Sequence, residues 1–247
     1  ANISHELRTP LNSTDGFIHL LLRQDNLNND QNLYLQTIRK SSAHLLALIN
    51  DVLDFSKIDA GKLELDTATF DLEEAIFDVM DMLSPLAAQK HIDMAFYYAD
   101  NVPKHVVGDA LRFKQILTNL ISNAIKFTPD GEIIVRARME QDDIGQCLLH
   151  FSVQDSGIGL SGTDRKKLFE SFSQGDASVT RQFGGTGLGL AISKQLVHLM
   201  QGQIGFEDNQ ERAPTEKGST FWFTAMFMVH EEDEYVEHPQ FNDMQVV

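Results

Sequence analysis

Four short stretches of the 247-residue chain carry side chains that could do chemistry together. The first is SHELRTP, residues 4–10. His5 stands beside Glu6, Thr9 follows one helical turn later, and Pro10 comes next. A neutral imidazole attacks through a ring nitrogen, and its pKa keeps that form available near neutrality. The Glu6 carboxylate could accept the proton on Nδ1, which fixes the tautomer and leaves Nε2 as the nucleophile. The Thr9 hydroxyl, on the same face, could position a water. Pro10 lacks a backbone N–H and crowds the carbonyl of Glu6, so a loosened or bent helix is expected beside the histidine. The other eight histidines read as ordinary side chains.

The second stretch is NLISNAIKFT, residues 119–128. Steps of four and three place Asn119, Asn123 and Lys126 on one helical face. Amide oxygens are neutral ligands for Mg²⁺, and lysine is a point cation for phosphate. The third is DSGIGL, residues 155–160. Asp155 can accept a hydrogen bond from an exocyclic amine such as that of adenine, while Gly157 and Gly159 let a flat ring approach the backbone. The fourth is FGGTGLGLAI, residues 183–192. Gly185, Thr186, Gly187, Leu188 and Gly189 lead straight into a helix, and glycine-rich backbone at a helix N-terminus cradles phosphate. It is neither a Walker A loop nor a dinucleotide fingerprint, because no G-K-[ST] follows and no strand directly precedes it. Arg181 stands ahead of it, placed to meet a terminal phosphate. Residues 166–182 between the glycine motifs read as a lid in which Phe169 and Phe172 pack. Further on, KGSTFWF (217–223) turns through Gly218 into a strand that carries Thr220.

The bulk composition limits the partners. The net charge is −16, from 36 acidic and 20 basic residues, which argues against a nucleic-acid surface. A local phosphate site is compatible with it. The single cysteine, Cys147, allows no intrachain disulfide and reads as a buried thiol in a reducing compartment. No apolar run approaches the ~20 residues of a bilayer span, and the opening ANISHELRTP, with no basic segment followed by an apolar one, is not expected to be a signal peptide. The chain opens inside the histidine motif without an initiator Met, so it is expected to be a fragment whose membrane attachment, if any, lies in missing upstream segments.

These motifs need elements to hold them. Leu7, Leu11, Thr14, Ile18 and Leu21 alternate in steps of four and three, as do Leu35, Ile38, Ser42, Leu45, Ile49, Val52 and Ser56. That is the seam of a bundle. The polar stretch 23–32 reads as the turn between two helices, and a hairpin with two apolar faces implies a four-helix bundle formed by two copies. Gly61 can end the second helix. From there helices (72–90, with Pro85 as a kink or turn; 109–127; 190–200) alternate with strands (92–99, 132–139, 147–155, 203–207, 219–229). Helices layered on a mixed sheet are expected. The fold class is therefore a two-domain α+β chain: residues 1–66 as a helical hairpin, 67–230 as an α/β sandwich, and 231–247 as an acidic linker or tail.

In this order the motifs resemble the sensor histidine kinases of two-component systems over nearly all of residues 1–230. SHELRTPL resembles the H box, NLISNAIKFT the N box, and DSGIG, GGTGLGL and GSTF the three glycine boxes, with LFESF as the F box. NDVLDFSKIDAGKLELD and GSTFWF point further to hybrid kinases of the BarA/GacS type. The resemblance implies a dimerisation and histidine phosphotransfer domain followed by a Bergerat-type ATP-binding domain. It implies that ATP phosphorylates His5 with help from Glu6, that Thr9 supports dephosphorylation of a receiver, and that Asn123 binds Mg²⁺. Asn119 and Lys126 would lie near the phosphates, Asp155 would read adenine, and Arg181 would offset phosphate charge. The implied partners are a second copy of the chain and a response-regulator receiver aspartate. The implied location is the cytoplasmic part of an inner-membrane sensor.

Two other classes share parts of this pattern. Gyrase- and HSP90-like ATPases carry the N box and glycine boxes and hydrolyse ATP for conformational work, but they lack an H box. A degenerate kinase serving as a dimeric scaffold would have lost some of His5, Glu6, Asn123, Asp155 or the glycines, all of which are intact.

Overall fold

The computed structural model describes residues 2–24, 27–143, 145–159, 168–170, 187–209 and 218–229, with the side chains of residues 2–9, 12, 44 and 142 set aside. The chain divides into two compact units, residues 1–63 and 64–247.

The first unit is a hairpin of α1 (Asn2–Leu22) and α2 (Asn29–Asp59). Pro10 lies inside α1, which runs through it unbroken. The loosening expected there is not an interruption, because a proline removes one hydrogen bond and a 21-residue helix retains the others. The connecting turn is shorter than its polar composition suggested. Asn28 accepts from the Gln31 N–H at 2.8 Å while its own N–H donates to Gln31 Oε1 at 3.0 Å, a capping box that starts α2 within the Asn-rich stretch. Gly61, at φ 63°, ends α2, and the Lys62 N–H closes the turn on the Lys57 carbonyl. Ile18 is buried, whereas Phe17, Leu20, Ile38, Leu45 and Val52 are exposed. The hairpin thus buries part of its apolar surface and presents the rest.

The second unit is one mixed sheet with helices on one face. Its elements are β1 (Ala68–Asp71), α3 (Leu72–Ala88), β2 (Ile92–Tyr98), β3 (His105–Gly108), α4 (Ala110–Phe127), β4 (Gly131–Asp143), β5 (Gln146–Asp155), α5 (Gly189–Leu199), β6 (Ile204–Asp208) and β7 (Ser219–Val229). The strand order is β1-β3-β7-β5-β4-β2, with β6 also paired to β7. Only β2–β4 is parallel. One edge of β7 pairs with β5 from Thr220 to Met228; along the other, β6 takes the first half and β3 the last two residues.

Alternation along the strands turns Ile133, Val135 and Ala137 of β4, Cys147, Leu149, Phe151 and Val153 of β5, and Phe223, Ala225 and Phe227 of β7 to the core. Phe113 of α4 sits at the centre of that face, fully buried. Its ring lies 4.9 Å from Phe151, 6.1 Å from Phe223 and Phe227, and 6.2 Å from Phe70. α3 and α5 flank α4 and add Ile76, Val79, Ile192 and Leu196. Pro85 does not bend α3 into a turn; it lies within the helix. A proline there leaves the carbonyl of Asp81 without its helical donor, and the Ser84 hydroxyl donates to it at 2.9 Å instead. The four-residue strands β1 and β3 were not expected from the sequence.

Candidate functional site

α4 presents the amide stripe. Asp109 caps its N-terminus, its side chain accepting from the Arg112 N–H at 3.0 Å. The buried side of the helix is Phe113, Ile116, Leu117, Leu120, Ile121, Ala124 and Ile125, which leaves Asn119, Asn123 and Lys126 partly exposed on another face. Asn123 Nδ2 donates to Asn119 Oδ1 at 3.4 Å, and Asn119 Nδ2 donates to Ser193 Oγ of α5 at 2.8 Å. The bond made by Asn123 uses its nitrogen and leaves its oxygen, the atom a cation needs. Lys126 is half-buried, and desolvation lowers its pKa. Its ammonium lies 4.9 Å above the ring of Phe127.

α5 faces this stripe with its N-terminal turn. Gly187 has φ 69°, a conformation that favours glycine. Leu188 occupies the N-cap position and offers no side-chain acceptor to the first turn of the helix. A β-carbon on Gly189 would run into the side chain of Asn119, so glycine is what lets the two motifs meet.

Asp155 closes the far end of β5. It is buried, and burial pushes its carboxyl up to about 6 despite N–H donors from Gly157 at 2.9 Å and Ser219 at 3.3 Å, which act the other way. Gly157 is pressed against the end of α4. A β-carbon there would stand 2.9 Å from both Asp155 Oδ1 and Thr128 Oγ1 and would crowd the carbonyl of Phe127, to which the Ile158 N–H donates at 3.3 Å. Gly159 has φ 71°. Behind Asp155, Asn209 Nδ2 donates to its carbonyl at 2.9 Å, and the Thr220 hydroxyl donates to Asn209 Oδ1 at 2.8 Å. Gly218, at φ 100°, faces the same carbonyl so closely that no side chain would fit.

One locus therefore gathers Asn119, Asn123, Lys126, Asp155, Gly157, Gly187, Leu188, Gly189 and Thr220 from four elements and the turns beside them. His5, Glu6 and Thr9 lie on the backbone of α1 in the other unit. Arg181, Gly185, Thr186, the tail 231–247 and all of the expected lid except residues 168–170 lie outside the described residues. Sequence reasoning missed Ser193, Asn209, Thr128 and Lys90, whose ammonium caps the end of α4. Only Thr128 had a signal, as the last residue of the amide-rich stretch.

A model of the His kinase A (phospho-acceptor) domain matches residues 1–61, and a model of the histidine kinase-, DNA gyrase B- and HSP90-like ATPases matches residues 108–227. The chain belongs to the histidine kinases. The sensor histidine kinase GacS of Pseudomonas protegens is 50% identical to this kinase core over 91% of the chain and 24% of the relative. The signal transduction histidine-protein kinase BarA of Escherichia coli is 44% identical over 90% of the chain and 24% of the relative. The core thus spans about a quarter of the length of these relatives. Among solved structures, full-length ShkA in complex with AMPPNP superposes with a TM-score of 0.75 at 36% identity, covering 93% of this chain and 46% of that one. The two-domain α+β class follows from the family matches and from the helices and mixed sheet. Among the described residues no helix is long and apolar enough to cross a membrane.

Proposed function

We propose that this chain is the kinase core of a hybrid sensor protein: it binds ATP in its second unit and phosphorylates His5. The observation that supports this best is the single locus where Asn119 meets Gly189 and Ser193 while the other end of the same helix meets Gly157 and Asp155. Such a locus offers a carboxylate for an amine at one end and, at the other, amides, a lysine and a helix N-terminus whose N-cap residue supplies no side-chain acceptor, for phosphates.

In this reading Asp155, Gly157, Gly159 and Thr220 hold the base, and Asn119, Lys126, Gly185, Thr186, Gly187, Leu188 and Gly189 hold the phosphates. Mg²⁺, carried by the Asn123 oxygen and the nucleotide, would neutralise phosphate charge. Lys126 and Arg181 add positive charge. Nε2 of His5 attacks the terminal phosphorus, the bond to the bridging oxygen breaks, and ADP leaves. Glu6 holds the proton on Nδ1. The phosphoryl group then passes to a receiver aspartate, and in the opposing phosphatase reaction Thr9 positions the water that hydrolyses that aspartyl phosphate to inorganic phosphate.

Residues 1–66 would act as the dimerisation and phosphotransfer domain, residues 67–230 as the catalytic domain, and 231–247 as a linker. The exposed stripe of Phe17, Leu20, Ile38, Leu45 and Val52 supports pairing with a second copy. The full protein would be an inner-membrane sensor with this part in the cytoplasm.

The test is incubation with γ-labelled ATP and Mg²⁺. Label should enter as acid-labile, alkali-stable phosphate, and His5→Gln should abolish it while nucleotide binding persists. Label retained in His5→Gln would reject the acceptor. Mixed dimers of His5 and Asn123 variants then read whether transfer runs within or between protomers.

A further inference from the structure

Asp109 engages both oxygens of its side chain with backbone N–H groups. Oδ1 accepts from Arg112 in the first turn of α4, and Oδ2 accepts from Asp66, each at 3.0 Å. Asp109 is buried, whereas Asp66 lies on the surface. A helix cap needs one acceptor, and serine, threonine or asparagine supplies it as well as aspartate does. A buried carboxylate carries a desolvation cost that those three avoid. What the carboxylate alone offers is two acceptors and no donor. Asparagine would turn an NH₂ group toward one of the two N–H groups.

The second acceptor has a defined place along the chain. β1 pairs with β3 as far as Ala68 opposite Gly108, and the Asp109 bond carries that attachment on to Asp66. On the other side, the Lys62 N–H still belongs to the end of α2 through the Lys57 carbonyl. Between these two fastenings stand only residues 63–65. Without the Asp109 bond, the next fastening is β1 itself. The residue that shortens the connection also starts α4, the helix bearing Asn119, Asn123 and Lys126.

We propose that Asp109 is a positioning residue for phosphoryl transfer: by holding the Asp66 N–H it fixes the point where the connection from the His5-bearing hairpin joins the helix that carries the phosphate-binding amides, and so speeds the meeting of bound ATP with His5. This rests on the transfer to His5 proposed above. A short connection raises the effective concentration of the groups at its two ends, and a fixed joint limits the orientations they sample.

The experiment compares the full chain with Asp109→Asn and Asp66→Pro. Asparagine keeps an acceptor for the Arg112 N–H and lacks a second one for Asp66, while proline removes the Asp66 donor and leaves the cap intact. Hydrogen exchange should show the Asp66 amide protected in wild type and freed in Asp109→Asn, with the Arg112 amide protected in both. Affinity for a non-hydrolysable ATP analogue, read by calorimetry, should stay within about twofold of wild type in both variants. At saturating nucleotide, the rate of label entry from γ-labelled ATP should fall at least about fivefold in each variant and no further in the two combined, because both remove one bond. A wild-type rate in Asp109→Asn with its Asp66 amide freed overturns the proposal, as does an Asp66 amide that is unprotected in wild type. A fall in rate matched by an equal fall in affinity also overturns it, because that marks a helix cap only. If Asp109→Asn does not fold, an unchanged rate in Asp66→Pro overturns it. Failure of wild type to take up label instead removes the transfer reaction itself, and this inference with it.

Discussion

The ammonium of Lys90 lies 2.6 Å from the carbonyl oxygen of Ile125, and it also reaches the carbonyls of Lys126 and Thr128 at 3.0 and 3.3 Å. The Thr128 N–H serves the carbonyl of Ala124, and the Ile158 N–H serves that of Phe127. The last carbonyls of α4 are therefore all satisfied, two of them, together with the carbonyl of the C-cap Thr128, by one cation that also opposes the negative end of the helix dipole. Lys90→Met should destabilise the second unit by about 2–3 kcal/mol, and Lys90→Arg by less. Trp222 is the chain's single tryptophan and lies on β7, so its fluorescence in a denaturant titration reports this unit. An unchanged midpoint in Lys90→Met would show that the cap adds nothing to stability.

Asp155 gives a pH signature. Its carboxyl is raised to about 6 from the ordinary 3.8, so the fold favours the protonated form. Its contribution to stability is fully present below pH 4 and is lost as the pH rises to about 6. Asp155→Asn removes that dependence. Relative to wild type the variant should gain stability between pH 4 and 7, by up to about 2–3 kcal/mol, and lose nucleotide binding. In wild type, affinity for an adenine nucleotide should fall as the pH drops below about 6, because the acceptor becomes protonated. Calorimetry at pH 5 and pH 7.5 reads this directly; equal affinities would remove Asp155 from base recognition.

Phe113 holds the helical layer on the sheet through four ring contacts, the tightest at 4.9 Å to Phe151. Phe113→Ala should cost about 3–5 kcal/mol in the second unit. Helicity of the hairpin, followed by circular dichroism, should persist after the Trp222 signal is lost. Simultaneous loss of both would mean that the two units do not unfold independently.

Gly189 tests the meeting of the two motifs. Alanine is a better helix former than glycine, so Gly189→Ala should leave stability unchanged or slightly raised. Its methyl group would displace the Asn119 side chain. Phosphate incorporation should fall at least about tenfold, the effect of losing one well-placed polar contact. Full activity in this variant would show that the closeness of Asn119 to α5 is not needed.

The helices were legible in the sequence because their apolar faces are complete. Phe113, Ile116, Leu117, Leu120, Ile121 and Ala124 leave α4 one way to lie. β7 was legible to the residue because a run of 11 residues, STFWFTAMFMV, admits nothing else. β1 and β3 were not, since four residues such as ATFD or HVVG carry too little pattern, and the two strands pair with each other across a separation that no local signal spans. Pro85 does not end α3 in a turn, and the Ser84 hydroxyl that bonds the Asp81 carbonyl is a choice of rotamer rather than of sequence. In the site, residue types and spacing named the motifs. Which atoms meet was hidden, because Asn119 and Ser193 are 74 positions apart. The cap from Lys90 exists only once α3 and α4 have packed.

The pairing of β7 sets a limit on when this unit can be completed during synthesis. β3, β5 and β6 each need β7 as a neighbour, yet its residues 219–229 are the last of the sheet to be made. Until the ribosome has released them, those three strands lack a shared partner and Phe151 lacks the ring of Phe223 stacked at 4.9 Å. A chain stalled before residue 219 therefore lacks the strand that joins β3, β5 and β6, and with it Thr220 and the Ser219 N–H that meets Asp155.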